Sequence, residues 1–279
     1  MSAARILALD IDGTLIGSDK RIPAFTASEV RRVAEESGVH VVLVTARGPQ
    51  STAIIEEQLG VPASYCTFGG SLVWAREPDG SFTELSETPL DPASVRAILT
   101  ASTGHDVHTG VYTRGGWFVN RLDYWGLREA RNTSVWPDAV GVEGELLGAP
   151  DGAGVFKLMF RGDAERLTAL ETDLRAAASG IFLHRVPNVI EIVPASAVKL
   201  PALRTLAAHL GAGLDEVIAF GDTLSDLELL EHAGVGVLMG NASPALDASP
   251  RVLRTLTNDE DGVGVMLRAQ FPTTRPFRT

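Results

Sequence analysis

Short apolar runs alternate with amphipathic stretches along much of this chain. Arg5 to Asp10 (RILALD) is apolar through its middle and reads as a strand. Thr26-Ala-Ser-Glu29 has the spacing of a capping box and opens a helix through about Ser37. Val39 to Val44 (VHVVLV) is continuously apolar, the pattern of a strand buried on both faces of a parallel sheet. Pro49 to Leu59 predicts the next helix, and SLVWAREPDGSFTEL (71–85) a hairpin turning near Asp79-Gly80.

From about Leu85 to Ile190 the rhythm changes. A helix over Pro92 to Ala101 is followed by strands near Asp106 to Thr113 and Gly116 to Asn120. Then come a strand near Val155 to Phe160, a helix over Ala164 to Ala178, and strands near Ile181 to Val186 and Val189 to Val193. Glycines and prolines between Gly141 and Gly154 mark loops. This is the pattern of a separate α+β unit.

After Val198 the simple alternation resumes. It predicts a helix over Val198 to Leu210, a strand over Glu216 to Phe220, a helix over Leu224 to His232 and a strand over Val235 to Met239. A strand near Val252 to Leu256 and a helix near Gly262 to Ala269 follow. The expected fold is α/β: one doubly wound, parallel sheet of Rossmann-like type, interrupted by an inserted module. The expected divisions are 1–84 and 191–279 for the sheet domain and 85–190 for the insertion.

Composition narrows the function. The 279 residues carry a net charge of −11, which weighs against nucleic-acid binding, a process that needs basic patches. Arg275 and Arg278 form too short a tail to alter that. Cys66 is the only cysteine, which excludes a disulfide framework and Cys-rich zinc sites. The start has no signal-peptide pattern and no apolar stretch has membrane length, so a cytoplasmic protein without a membrane partner is expected. The sequence lacks GxxxxGK[ST], GxSxG, and a GxGxxG after the first strand.

Aspartates stand where the strands end. LALDIDGTLIG places Asp10 and Asp12 just past the first apolar run. Residues two apart in an extended chain point to the same side, so both carboxylates would face one spot. In open α/β sheets, ligands bind at the carboxyl ends of strands. VIAFGDTLSDLELL repeats the arrangement with Asp222 at a strand end and Asp226 a helical turn later. Asp10, Asp12 and Asp222 together would make a hard-oxygen site for Mg²⁺. The plain alternative makes Asp222 a helix cap and leaves Asp226 solvated. Thr45, in VLVTARG, follows a buried strand where a hydroxyl and backbone amides would meet an anion. Arg47 reads as a surface residue. Lys199 opens a helix, where a cation opposes the dipole, so it would point at a phosphate or carboxylate.

Taken in order, these segments resemble the haloacid dehalogenase superfamily of phosphohydrolases, specifically its Cof-like branch. DIDGTL matches the first motif, Thr45 the second, Lys199 the third and GDTLSDLELL the fourth. The insertion between the second and third looks like the α/β cap of that branch. MGNASPAL (239–246) and TNDEDGV (257–263) look like its C-terminal signatures. The resemblance implies a Mg²⁺-dependent phosphatase of small phosphorylated metabolites, sugar phosphates among the candidates. Asp10 would be the nucleophile, and Asp12 the proton donor and later base. Asp10, the Asp12 carbonyl and Asp222 would hold Mg²⁺. Thr45 and Lys199 would bind the phosphoryl oxygens, and Asp226 would orient Lys199 or a metal-bound water. Three departures stand out: Ser225 for the usual Asn, Leu200 for the Gly after the lysine, and Phe68-Gly69-Gly70 where the family has NG after the third strand. A phosphomutase with a similar cap is the nearest alternative. A non-catalytic metal- or phosphate-binding protein is the other, and its sign would be loss of Asp10 or Asp12. Arg114, Arg121, Lys157, Arg161, His184 and Arg185 of the insertion are candidates for recognising the substrate's polar end.

Overall fold

The computed structural model describes residues 4–141 and 154–272. The loops read between Gly141 and Gly154 lie almost wholly outside the described residues, as do Arg275 and Arg278. Among the described residues, strands form one eight-stranded and one six-stranded sheet.

The larger sheet is built around β1 (Ile6–Leu9), which lies between β2 (His40–Val44) and β12 (Val217–Gly221), parallel to both. On one side, β3 (Ala63–Thr67) pairs parallel with β2, and the antiparallel hairpin of β4 (Leu72–Arg76) and β5 (Phe82–Glu87) completes the edge. On the other, β13 (Val235–Leu238) and the two-residue β14 (Leu253–Arg254) extend it in parallel. The continuous apolar runs are explained by burial on both faces. Leu7, Leu9, Val41 and Leu43 pack with Val30, Val33, Ile55, Leu59 and Leu267, from α1 (Ala24–Ser37), α2 (Pro49–Leu59) and α8 (Gly262–Gln270). Ile6, Ala8, Val42 and Val44 pack with Leu203, Leu206, Leu229 and Leu230, from α6 (Lys199–His209) and α7 (Leu224–His232). Helices on both faces make the sheet doubly wound.

The smaller sheet has the order β10-β11-β9-β6-β7-β8. Its strands are β6 (His108–Thr113), β7 (Trp117–Val119), β8 (Ala139–Val140), β9 (Val155–Arg161), β10 (Ile181–Val186) and β11 (Val189–Pro194). Two helices, α3 (Pro92–Ser102) and α5 (Ala164–Ala177), bury Val95, Ile98, Leu99, Leu167, Leu170 and Leu174 against one face. The other face carries Tyr112 and Met159, which pack with Phe68 of the larger domain.

The expected boundaries need correction. The division at 84/85 cuts β5 and that at 190/191 cuts β11, yet β5 pairs with the larger sheet and β11 with the smaller. The cap therefore lies between the end of β5 and the end of β11. Helix α4 (Tyr124–Thr133) was not read from the sequence; Asp123 caps it by accepting from the Trp125 and Gly126 amides. The capping box read at Thr26 is also absent. Helix α1 starts two residues earlier, at Ala24, after Pro23. Thr26 instead donates through its amide and hydroxyl to Asp261, while Glu29 binds Arg32 and Arg268. Among the described residues, no helix is long and apolar enough to cross a membrane.

Candidate active site

The carboxyl ends of β1 and β12 lie side by side, and the site grows from them. Asp10 follows β1 directly, and its amide donates to the Phe220 carbonyl of β12 at 3.1 Å. The chain then turns, with the Leu15 amide donating back to the Asp10 carbonyl at 3.3 Å. Gly13 makes the turn possible: its φ is +83°, and a Cβ there would lie 2.3 Å from Asp222 Oδ2.

Lys199 is the first residue of α6 and is buried. Its Nζ donates to Asp10 Oδ1 at 2.7 Å and to Asp226 Oδ1 at 2.6 Å. Asp226 sits at the third position of α7, where its Oδ2 accepts from the Thr223 amide (3.0 Å), the Thr223 hydroxyl (2.7 Å) and the Asp222 amide (3.2 Å). It is 1% exposed, so the solvated alternative fails. Thr223, not Asp222, is the helix N-cap. Asp222 instead accepts from the Thr14 hydroxyl at 3.2 Å.

Burial raises the Asp10 carboxyl to about 8; the Lys199 ammonium opposes the rise, and the Asp226 and Asp222 charges add to it. Burial also raises Asp222 to about 6, with the Asp226 charge adding. Asp226 goes the other way: burial disfavours its charge, but Lys199 and the Thr223 hydrogen bonds outweigh that. Oxygens of Asp10, Asp222 and Asp226 lie within 4.8 Å of one another. Three carboxylates thus crowd together, and one ammonium pairs with two of them. Hard oxygen donors with surplus negative charge suit a divalent cation.

Asp12 departs from the expectation. β1 ends at Leu9, so residues 10 and 12 do not share an extended strand, and the two carboxylates take different partners. Asp12 is held by the Arg47 fork, Nε at 2.6 Å and Nη2 at 2.9 Å, and by Lys20 Nζ at 3.0 Å. Burial alone would raise its pKa, but the Arg47 hydrogen bonds and charge, with Lys20, lower it to about 2. Its side chain is therefore not in the carboxylate cluster, which has Asp226 in that place.

Arg47, expected at the surface, is buried and also donates to the Asn132 carbonyl of the cap at 3.2 Å. Its signal was the unpaired carboxylate at Asp12. Thr45, equally buried, accepts from the Arg47 amide through its hydroxyl at 3.1 Å. Asn241, which the sequence did not single out, donates to the Gly13 carbonyl at 2.8 Å and ties MGNASPAL to the turn.

The three departures also have places. Ser225 is exposed, its hydroxyl 2.8 Å from that of Thr223. Leu200 is buried among Leu203, Leu206 and Leu230. Phe68 is fully buried at φ +51°, stacked on Phe156 of the cap with ring centroids 5.1 Å apart. Of the cap candidates, Lys157 alone reaches the loop after β2, where its Nζ donates to the Ala46 carbonyl at 3.1 Å. Arg161 pairs with Glu129, Arg121 with Asp106 and Asp123, and Arg185 with Glu171. Arg114 pairs with Glu84 and Glu87, while His184 is exposed on β10.

A mostly parallel α/β sheet whose strand ends gather carboxylates around one lysine, with a second sheet domain docked on it, defines a capped protein of Rossmann-like type. The chain belongs to the haloacid dehalogenase-like hydrolases, whose family model matches residues 7–267. It is 29% identical over 272 residues to 5-amino-6-(5-phospho-D-ribitylamino)uracil phosphatase YitU of Bacillus subtilis, covering 95% of this chain and 97% of that one. It is also 29% identical over 247 residues to an HMP-PP phosphatase of Escherichia coli, covering 88% and 87%. Among solved structures, a haloacid dehalogenase-like hydrolase from Bacteroides thetaiotaomicron superposes with a TM-score of 0.84 at 26% identity, over 96% of this chain and all of that one. The expected Cof-like family and Rossmann-like core with a cap are thereby established. The chain is a phosphatase, a phosphoric monoester hydrolase.

Proposed function

We propose that this phosphatase is Mg²⁺-dependent and hydrolyses small phosphorylated metabolites through an aspartyl phosphate on Asp10. One observation carries the proposal: Lys199 bridges Asp10 and Asp226 at the carboxyl ends of β1 and β12, with Asp222 beside them. Asp10, Asp222 and the Asp12 carbonyl would hold Mg²⁺. When bound, the cation would keep Asp10 ionised and offset the repulsion between its carboxylate and the phosphate.

Asp10 attacks phosphorus, the bond to the leaving oxygen breaks, and Asp12 protonates that oxygen. Water then attacks the aspartyl phosphate, giving its proton to Asp12 and releasing phosphate and Asp10. Thr45 and Lys199 bind the phosphoryl oxygens. Asp226, held by Thr223, positions Lys199. In the Arg47 fork Asp12 is ionised, so proton delivery requires its carboxylate to leave that fork and take up a proton from solvent before the ester bond breaks. The ribityl phosphate in the name of the Bacillus subtilis relative supports a phosphorylated sugar or polyol as substrate.

The test is phosphate release from a panel of phosphorylated metabolites. Asp10→Asn should abolish turnover with an unchanged circular dichroism spectrum. Chelated wild type should be inactive and recover with Mg²⁺. Substantial turnover by Asp10→Asn would overturn the nucleophile, and undiminished activity after exhaustive chelation would overturn the metal.

A further inference from the structure

Lys157 is 5% exposed on β9. Its ammonium donates to the Ala46 carbonyl at 3.1 Å and lies 4.6 Å from the centre of the Tyr112 ring. Both contacts suit a cation, but neither is a counter-charge. The other two lysines differ: Lys20 is paired with Asp12, and Lys199 with Asp10 and Asp226. No carboxylate among the described residues pairs with Lys157. A buried charge without a counter-charge is costly, and a ligand of the opposite sign would offset that cost.

The surroundings are rich in donors. Lys157 lines a cavity of about 40 Å³ between cap and core, with Arg47, Tyr112, Trp117, Glu129 and the start of α2 at 48–51. One water needs roughly 10–15 Å³ by the same measure, so the space suits a small oxyanion group. Trp117 is 3% exposed, and its indole N–H has no acceptor. Pro49 opens α2 without an N–H and the Thr52 amide donates to the Gly48 carbonyl, so the first-turn amides left for a ligand are those of Gln50 and Ser51, where the helix dipole favours an anion. Glu129, the one carboxylate of the lining, is already held by Arg161 at 2.6 Å and by the Tyr112 hydroxyl at 3.4 Å.

We propose that this cavity is an oxyanion subsite with Lys157 as its principal cation. It receives either a second anionic group of the phosphate ester under hydrolysis or a free inorganic oxyanion. The first source rests on the phosphatase mechanism proposed above; the second does not.

Inorganic sulfate is the direct probe, titrated by calorimetry into the wild-type chain and Lys157→Met. The variant should lose one sulfate-binding event or bind it at least tenfold more weakly. Lys157→Gln, whose amide still donates a hydrogen bond but carries no charge, should behave alike. If neither variant folds, Trp117→Phe, which replaces the indole and its N–H by a smaller phenyl ring, should weaken sulfate severalfold. Equal sulfate binding by wild type and the folded variants, or none by wild type, overturns the subsite. The source follows from 3-phosphoglycerate and glycerol 3-phosphate, which differ by a carboxylate. A preference of at least tenfold in kcat/KM for the first, lost in Lys157→Met, assigns the subsite to the substrate. An unchanged ratio together with lost sulfate binding assigns it to a free oxyanion. If no ester is hydrolysed, the phosphatase mechanism fails while the sulfate result stands by itself.

Discussion

Lys199 and Asp10 form a buried ion pair, Nζ to Oδ1 2.7 Å, between residues 189 positions apart. The same ammonium holds Asp226, so its loss would leave two buried carboxylates facing each other. Lys199→Met should lower kcat/KM for any phosphate ester by at least about a hundredfold. It should also destabilise the fold by about 3–5 kcal/mol, the usual effect of removing one partner of a buried pair. Steady-state kinetics and urea denaturation check the two effects separately.

Phe68 and Phe156 join core to cap through stacked rings 7° from parallel. Both are fully buried, and removing a buried phenylalanine side chain costs about 3–5 kcal/mol. Phe156→Ala should therefore lower the urea midpoint. It should also increase amide exchange at the cap strands more than in β1 and β12, since the lost contact is at the seam. Phe68→Gly would relieve the left-handed backbone at φ +51° yet remain destabilising, because backbone relief is worth only about 1 kcal/mol.

Glu29 of α1 accepts from Arg268 of α8, Nε at 2.9 Å and Nη2 at 2.5 Å, and from Arg32 at 2.8 Å. The hydrogen bonds of Arg268, aided by those of Arg32, lower its carboxyl from 4.5 to about 2 despite burial. A carboxylate with a depressed folded pKa stabilises the fold fully above its unfolded value. That contribution is lost as pH falls through the folded value. Stability should thus decline between about pH 4.5 and 2, and Glu29→Gln should flatten that decline while costing about 1–3 kcal/mol at pH 7. Urea midpoints measured across that range give the answer.

Ser225 reaches Asp226 only through Thr223: its hydroxyl lies 2.8 Å from that of Thr223, which donates to Asp226 Oδ2 at 2.7 Å. An asparagine at 225 has a longer side chain that can donate and accept at once. Groups behind metal ligands typically alter metal affinity by roughly 10–100-fold. Ser225→Asn should lower the Mg²⁺ concentration for half-maximal activity by about tenfold, with little change in substrate preference. Superimposable Mg²⁺ titrations would show that the serine already does this work.

Much of the core was legible because each parallel strand carries its own record of burial. The run VHVVLV is apolar throughout because helices cover both faces of β2, and β1 and β12 share that pattern for the same reason. Asp10 and Asp222 then fall at the carboxyl ends of neighbouring strands, which is why two distant segments announced one site. Helix α4 is not legible in the sequence: its buried positions are Gly126, Glu129 and Ala130, while Tyr124 and Leu127 are exposed, so no large apolar side chains mark its inner face.

Local pattern thus determined the strands, most helices, and which carboxylates stand at the mouth of the sheet. Tertiary structure decided which charges meet there. Asp12 turned from the cluster because β1 ends at Leu9 and Arg47, 35 residues away, offers a two-pronged partner. Lys157 came to rest on Ala46, 111 residues away, because the cap docks through Phe68 and Phe156. Periodicity records how one element is buried. Ion pairing depends on distance in space, which only the docking of separate elements sets.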